Sequence, residues 1–424
     1  MPAPVRYAKD MLDEDWRSLA FEVQQTFSPS APLDETDLFA GRRSQLQKVL
    51  DATSERGKHV ILFGERGVGK TSLAKLVHKL FPPTARHVWS VREQADPSDD
   101  FDSIWRKVFR DLWVQVQRDG QDMQRPLSEL YPDKIKPDDV RRELEAFFKP
   151  SEIPIIIIDE LDKVRDPATR GLVANTIKHL SDYSVNVTMI LVGVADDVNG
   201  LIGEHESIGR CLEQVLMPRM SMSERREVLE KILPRLGMRI DSDALAKVAS
   251  LSRGLPSYVH SLGQSAALAA ITRKSLNINE SDIDAAVLRV LEKSEESVQE
   301  NYAKAVHSNR NDNLYRQVLL ACALAETNDR GTFAPAAVCG PLTAVMKREK
   351  PLEISAFQQH LQKFITPERG EILVRIGQER SYRYRFADPM MQPYVIMKGV
   401  EQGLVDPRAL EVLSSPAQLQ LPTI

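Results

Sequence analysis

Residues 64 to 71 read Gly64-Glu65-Arg66-Gly67-Val68-Gly69-Lys70-Thr71, with Ser72 next in line. They stand directly after the apolar run His59-Val60-Ile61-Leu62-Phe63 and before Leu73-Ala74-Lys75-Leu76-Val77, a stretch of helical character. Glycine at the first, fourth and sixth places followed by Lys-Thr is the full pattern of a phosphate-binding loop, and a strand before with a helix after is the context that pattern requires. The glycines let consecutive backbone N–H groups turn inward, and the following helix adds partial positive charge at its start. The backbone from Gly64 through Ser72 is therefore expected to cradle phosphates. Lys70 is expected to reach the β- and γ-phosphates, and the Thr71 hydroxyl to hold Mg²⁺. The competing reading is a glycine-rich turn with a chance lysine, and the flanking strand and helix weigh against it.

Bulk composition narrows the class without naming a partner. At 424 residues, 27% charged and 42% hydrophobic, the chain has room for two or three domains with real cores. A net charge of −4 argues against a uniformly basic nucleic-acid coat and leaves a local basic surface open. Cys211, Cys322 and Cys339 are widely spaced and form no C-x-x-C, so neither a disulfide framework nor a zinc site is expected. The start of the chain has no apolar leader, and the longest aliphatic run, Ile155 to Ile158, is far short of the roughly 20 residues of a membrane span. The expectation is a cytoplasmic protein with no membrane partner.

Hydrophobic spacing organises the rest. An amphipathic helix is predicted over 13–27, stopped by Ser28-Pro29-Ser30-Ala31-Pro32, and a second after Arg43 through Leu46, Val49 and Leu50. Strands are predicted at 87–91, 153–158 and 187–194, helices at 101–116, 138–148 and 168–180, and a proline-marked connector at 120–137. Strands alternating with helices, with unbroken apolar runs in the strands, predict an α/β fold: a parallel sheet covered by helices on both faces. From Ser221 to about Val290 only helical periodicity remains. Beyond a charged helix at 292–307, three short helices (314–325, 335–346, 354–364) and a hairpin (371–376 with 382–386) fit a winged helix. The expected division is 1–37 N-terminal helix and linker, 38–220 nucleotide-binding domain, 221–295 all-α lid, 296–404 linker helix and winged helix, and 405–424 tail.

The strand at Ile155 to Ile158 ends in Asp159-Glu160, at the carboxyl edge where open α/β sheets bind ligands. Asp159 suits a hydrated Mg²⁺, and Glu160 suits the orienting of the water that attacks a γ-phosphate. The bland alternative is a buried strand meeting a helix cap.

Phe39-Ala40-Gly41-Arg42, Gly64 to Thr71, Ile155 to Glu160, the strand end Leu191 to Asp197, and Ser207-Ile208-Gly209-Arg210 with Pro218 together resemble an AAA+ ATPase, nearest to the origin-recognition initiators and the similar STAND signalling ATPases. The likeness covers about residues 38 to 290. It implies a P-loop NTPase core, a helical lid, a C-terminal winged helix, and ATP with Mg²⁺ as cofactors. It implies also that Arg210 is an arginine finger reaching a neighbouring subunit's γ-phosphate, hence an oligomer, against a plain surface arginine. Phe39, Gly41 and Arg42 would lie beside adenine, and Pro256 of Arg253-Gly254-Leu255-Pro256-Ser257 would pack on it. Asp196 stands where initiators carry a γ-phosphate-sensing asparagine, and Ser257 near where they carry a lid arginine, which Arg253 or His260 would have to replace. Both departures imply a slow ATPase acting as a switch.

From Pro341 to Val400 ten basic residues face six acidic ones, and Arg383 and Arg385 share one strand face, with Lys363 closing the preceding helix. One expectation is an ATP-assembled switch that acts on duplex DNA through this module. The alternative is a signalling ATPase that activates a separate effector protein in trans, in bacterial defence or stress. A third reading, ATP held only for structure, sits poorly with an intact Asp159-Glu160 pair.

Overall fold

The computed structural model describes residues 6–29, 41–81, 87–118, 121–195, 198–202, 208–308, 313–378 and 381–406. Phe39 and Asp196 lie outside them. In chain order, helix α1 (Asp13–Thr26) and helix α2 (Arg43–Ser54) precede strand β1 (His59–Gly64), which runs through the glycine-rich loop into α3 (Lys70–Leu76). Then come β2 (His87–Gln94), α4 (Phe101–Arg110), β3 (Trp113–Arg118), β4 (Gln121–Pro126), α5 (Pro137–Phe147), β5 (Glu152–Asp159), α6 (Pro167–Asp182), β6 (Thr188–Val194), the short α7 (Asn199–Ile202) and β7 (Leu212–Leu216).

Five of these strands form one parallel sheet in the order β2-β5-β6-β1-β7. Successive residues of a strand point to opposite faces, and both faces are covered. Val60, Leu62, Ile155, Ile157, Ile190 and Val192 enter one core, and Ile61, Phe63, Ile156, Ile158, Met189 and Leu191 enter another. This is the doubly covered α/β sheet that the apolar runs predict.

The region between β2 and β5 departs from expectation. The helix predicted to reach residue 116 stops at Arg110, where the Asp111 N–H folds back to the Phe109 and Val108 carbonyls. β3 then pairs antiparallel with β4, Val114 opposite Arg125 and Val116 opposite Met123. The stretch predicted as a connector is thus half hairpin, because β-branched valines alternating with glutamines favour an extended chain.

Four helices follow: α8 (Met222–Arg235), α9 (Ser242–Leu251), α10 (Pro256–Thr272) and α11 (Glu280–Glu292). The segment expected to be all-helical also holds a two-residue parallel pairing of β8 (Arg239–Ile240) with β9 (Asn277–Ile278). Next come α12 (Glu296–Val306), α13 (Tyr315–Leu324), α14 (Cys339–Val345), α15 (Gln358–Phe364), the hairpin β10 (Leu373–Ile376) with β11 (Arg383–Phe386), and α16 (Met391–Glu401), which the sequence reading did not anticipate. α16 packs on α11, α12 and α13 and so fastens the C-terminal elements to the helices before them. Among the described residues no helix is long and apolar enough to cross a membrane.

Candidate nucleotide site

β1 ends at Gly64 with φ +141°, where an added Cβ would lie 2.6 Å from the Met217 carbonyl oxygen. Only glycine lets the chain turn there. Beyond the turn, Lys70 opens α3 with its side chain buried, and its ammonium donates to the carbonyls of Gly64 at 3.1 Å and Glu65 at 2.7 Å. Burial lowers Lys70 to about 8, against the pull of Asp162, Asp159, Glu65 and Glu160.

β5 delivers Asp159 and Glu160 to the same carboxyl edge. The register sets Gln94, the last residue of β2, beside Asp159. Asp159 Oδ2 accepts from Arg92 Nη2 at 2.7 Å, and its Oδ1 accepts from the Glu160 N–H at 2.9 Å. Glu160 adopts φ +57°, a left-handed conformation that lifts its carboxylate off the strand. That carboxylate accepts from Gln94 Nε2 and from Lys163 Nζ, the latter at 2.6 Å. Burial raises its pKa, but the Gln94 and Lys163 hydrogen bonds and the charges of Lys163 and Arg92 outweigh that and hold it below the usual carboxylate range.

One cavity of about 270 Å³ gathers most of the expected residues. Arg66, Gly67, Gly69, Lys70, Thr71, Ser72, Asp159, Glu160 and Pro256 all line it, joined by Ser28, Pro29, Asp162, Ser257 and His260. Gly41 and Arg42, expected beside adenine, do not line it. The Gly41 N–H donates to Glu227 and the Arg42 N–H to Glu224, both on α8. The buried Arg42 guanidinium donates to the Val68 carbonyl at 3.2 Å, and burial lowers its pKa. Arg42 thus joins the loop, through Val68, to α8.

Glu65 also turns away from the phosphate side. Its carboxylate accepts from Arg219 Nε at 2.6 Å, with both side chains nearly buried (8% and 12% exposed). Arg219 also donates to Gln392 Oε1 on α16, and Gln392 Nε2 donates to the Ala323 carbonyl at 2.7 Å. A Cβ at Gly331 would collide with the Glu65 carboxylate, and one at Gly67 would lie 3.2 Å from Met390 Sδ. The C-terminal elements therefore sit directly on the glycine-rich loop.

Other expected positions fall elsewhere. Arg210 is exposed and paired with Asp182, one residue before Cys211, whose carbonyl accepts from the His59 N–H. It thus lies at the amino ends of β1 and β7, opposite the loop, and does not join this chain's own cavity. Arg253 is no lid cation either: it donates to the Ala325 carbonyl, and burial, with Arg219 and Arg225 nearby, lowers it to about 9. Arg383 donates to the Thr332 hydroxyl and carbonyl, both at 2.7 Å, and Arg385 lines a second cavity beside Glu65, Arg66, Asp162 and Asp388. Arg383 is thus bonded within the C-terminal elements, and Arg385 faces the cavity between them and the glycine-rich loop.

Sequence reasoning missed Arg92, Gln94, Arg219 and Gln392. The only available signal for the first two was a β2 strand running to its full length.

Against known proteins, a family model described as "Novel STAND NTPase 1" matches residues 31–330. No curated protein matches the chain. Among solved structures, a Walker-type ATPase of Pyrococcus abyssi is similar over 87% of this chain and 99% of its own, at 16% identity and a TM-score of 0.50. The Cdc6p protein of Pyrobaculum aerophilum is similar over 90% and 99%, at 15% identity and 0.45. The ORC1 protein of Aeropyrum pernix, solved in complex with DNA, is similar over 90% and 98%, at 12% identity and 0.47. At such identities the likeness speaks for the fold alone.

Proposed function

The chain belongs to the novel STAND NTPase 1 family, and from that premise we propose that it is a Mg²⁺-dependent ATPase working as a slow switch, whose ATP-bound form assembles and signals to a separate effector protein. The observation that carries this reading is the contact of the C-terminal elements with the phosphate loop through Glu65, Arg219 and Gln392. A loop clasped in this way reports its occupancy to a distant part of the chain, which is what a switch needs.

Within the cavity, Lys70 and the loop backbone bind the triphosphate. The oxygen donors of Thr71 and Asp159 line the same space and fit a hard, hydrated divalent cation, which when bound neutralises charge on the phosphate oxygens. Glu160 orients the attacking water once it leaves Gln94 and Lys163. Its tethering in the described arrangement accounts for slow turnover. Pro256 borders the base. Arg210, exposed and remote from its own cavity, serves a neighbouring subunit's γ-phosphate instead.

A second reading, action on duplex DNA through a winged helix, is favoured by the basic excess of residues 341–400. It is weakened by the inward engagement of Arg383 and Arg385. Mass photometry with ADP and with a slowly hydrolysed ATP analogue, with and without duplex DNA, separates the two. Assembly that follows nucleotide alone supports signalling, assembly that requires DNA supports the second reading, and none under any condition overturns both. A γ-phosphate release assay on Glu160→Gln tests catalysis: release at the wild-type rate would refute the role of Glu160.

A further inference from the structure

One wall of the cavity, where the end of α1 meets α10, carries two polar atoms that no described residue engages. α1 packs on α10, and the chain leaves α1 through the buried Phe27, whose ring meets the His260 ring edge-on at 6.0 Å between centroids. A Cβ at Gly263 would lie 2.7 Å from Phe27, so the missing side chain lets α1 seat this deeply. The next residue, Ser28, donates its backbone N–H to His260 Nδ1 at 3.3 Å.

That bond fixes the imidazole. With Nδ1 accepting, a neutral ring carries its proton on Nε2. Burial pushes His260 down to about 4, so it is neutral at physiological pH. His260 is 2% exposed and lines the cavity, and its Nε2 has no partner among the described residues. Ser28 Oγ is buried without a partner among the described residues, and Ser28 also lines the cavity. A buried polar atom is costly to leave unsatisfied, and Ser28 Oγ together with the unengaged Nε2 of His260 on one wall of a binding cavity calls for a ligand that satisfies both. The phosphates already have Lys70 and the glycine-rich loop in the same cavity, which leaves this uncharged pair for the edge of a heterocycle.

We propose that Ser28 and His260 read the nucleobase, His260 Nε2–H donating to a ring nitrogen of adenine and Ser28 Oγ accepting from its 6-amino group. This deepens, and rests on, the nucleotide reading of the cavity. Adenine presents a donor and an acceptor side by side. Inosine, with a 6-carbonyl and a protonated N1, reverses both, so its N1–H faces the fixed histidine donor.

Titration calorimetry on the full chain with ATP, ITP, 2′-deoxy-ATP and inorganic tripolyphosphate tests the pairing. Wild type is expected to bind ATP about tenfold or more tightly than ITP, since a site built around hydrogen bonds rejects the analogue that lacks them. His260→Phe is expected to shrink that ratio toward one while leaving tripolyphosphate unchanged, and Ser28→Ala to weaken ATP and ITP together, because a serine hydroxyl donates to a 6-carbonyl as readily as it accepts from a 6-amino group. His260→Gln, which keeps a donor, is expected to retain more of the ratio than His260→Phe, and the loss of ATP affinity in Ser28→Ala serves alone if the histidine variants do not fold. Equal binding of ATP and ITP by wild type, an unchanged ratio in His260→Phe, or an unchanged ATP affinity in Ser28→Ala overturns the proposal. Selectivity against 2′-deoxy-ATP that Ser28→Ala abolishes, with ITP binding like ATP, overturns it in favour of a ribose contact. Binding of neither ATP nor tripolyphosphate overturns the nucleotide reading beneath it.

Discussion

Replacing Gln94 with alanine is expected to make hydrolysis faster. In the described arrangement the Glu160 carboxylate is tethered by the Gln94 amide and by Lys163 at 2.6 Å, so the carboxylate proposed to orient water is occupied. A hydrogen bond to a charged group contributes about 1.5–3 kcal/mol, and partial exposure of this pair puts it at the lower end, about 1.5 kcal/mol. If hydrolysis proceeds only from the released carboxylate, removing that bond raises the released population, and so the rate, about tenfold. Lys163 still holds the other tether, so the gain is limited. Single-turnover γ-phosphate release at saturating ATP measures it, and ATP affinity is expected to stay unchanged because Gln94 does not line the cavity. The gain should vanish in a Glu160→Gln background, as a double-mutant cycle requires if the effect passes through that carboxylate. An unchanged or slower rate in Gln94→Ala, with ATP binding intact, would refute the idea that the tether restrains catalysis.

Two further outcomes follow from buried charges near the loop. Arg219→Met leaves the nearly buried Glu65 carboxylate without its cation, at a cost of about 3–5 kcal/mol; hydrogen exchange should show faster exchange around Gly331 and Gln392, and unchanged protection there would sink the clasp. Lys70, lowered to about 8 in the folded chain from 10.5, gives a signed pH effect: between those values the unfolded state binds more protons, so folding stability rises with pH across that window. ATP affinity should move the opposite way and fall above about pH 8, with proton uptake on binding in calorimetry run in buffers of different ionisation enthalpy; binding without proton uptake at pH 8.5 would contradict the lowered value.

The glycine-rich loop and the strand ending in Asp159-Glu160 were legible because each is a short contiguous stretch whose neighbours fix its conformation. Periodicity misled at residues 112–116: Leu112, Trp113 and Val116 continue the three- and four-residue spacing of Val108 and Phe109, yet Asp111 ends the helix and Val114 and Val116 take the period of a strand. Gln94 escaped because β2 was read as ending at Val91, three residues short, and those residues carry Arg92 and Gln94 to the carboxylates of β5. Ser28 and His260 are 232 positions apart, and only the docking of α1 on α10 joins them. Arg210 and Arg383 show the converse limit. Residue type was readable there, but whether a guanidinium meets a phosphate or a neighbouring carboxylate or carbonyl depends on which elements pack nearby.

The pairing of Arg92 with Asp159 means that the carboxyl edge of the sheet carries its own counter-charge. Asp159, Glu160 and Asp162 crowd one rim of the cavity, with Arg92, Lys163 and Lys70 set among them. The chain can therefore complete this edge before any metal reaches it, and chelators should leave the sheet standing. A divalent ion at Asp159 would compete with a guanidinium already seated there, whose Nε is buried without a partner among the described residues. Loading would then amount to an exchange of cations, and the displaced arginine would become a fresh positive charge at the rim of β2, available to whatever acidic surface comes next.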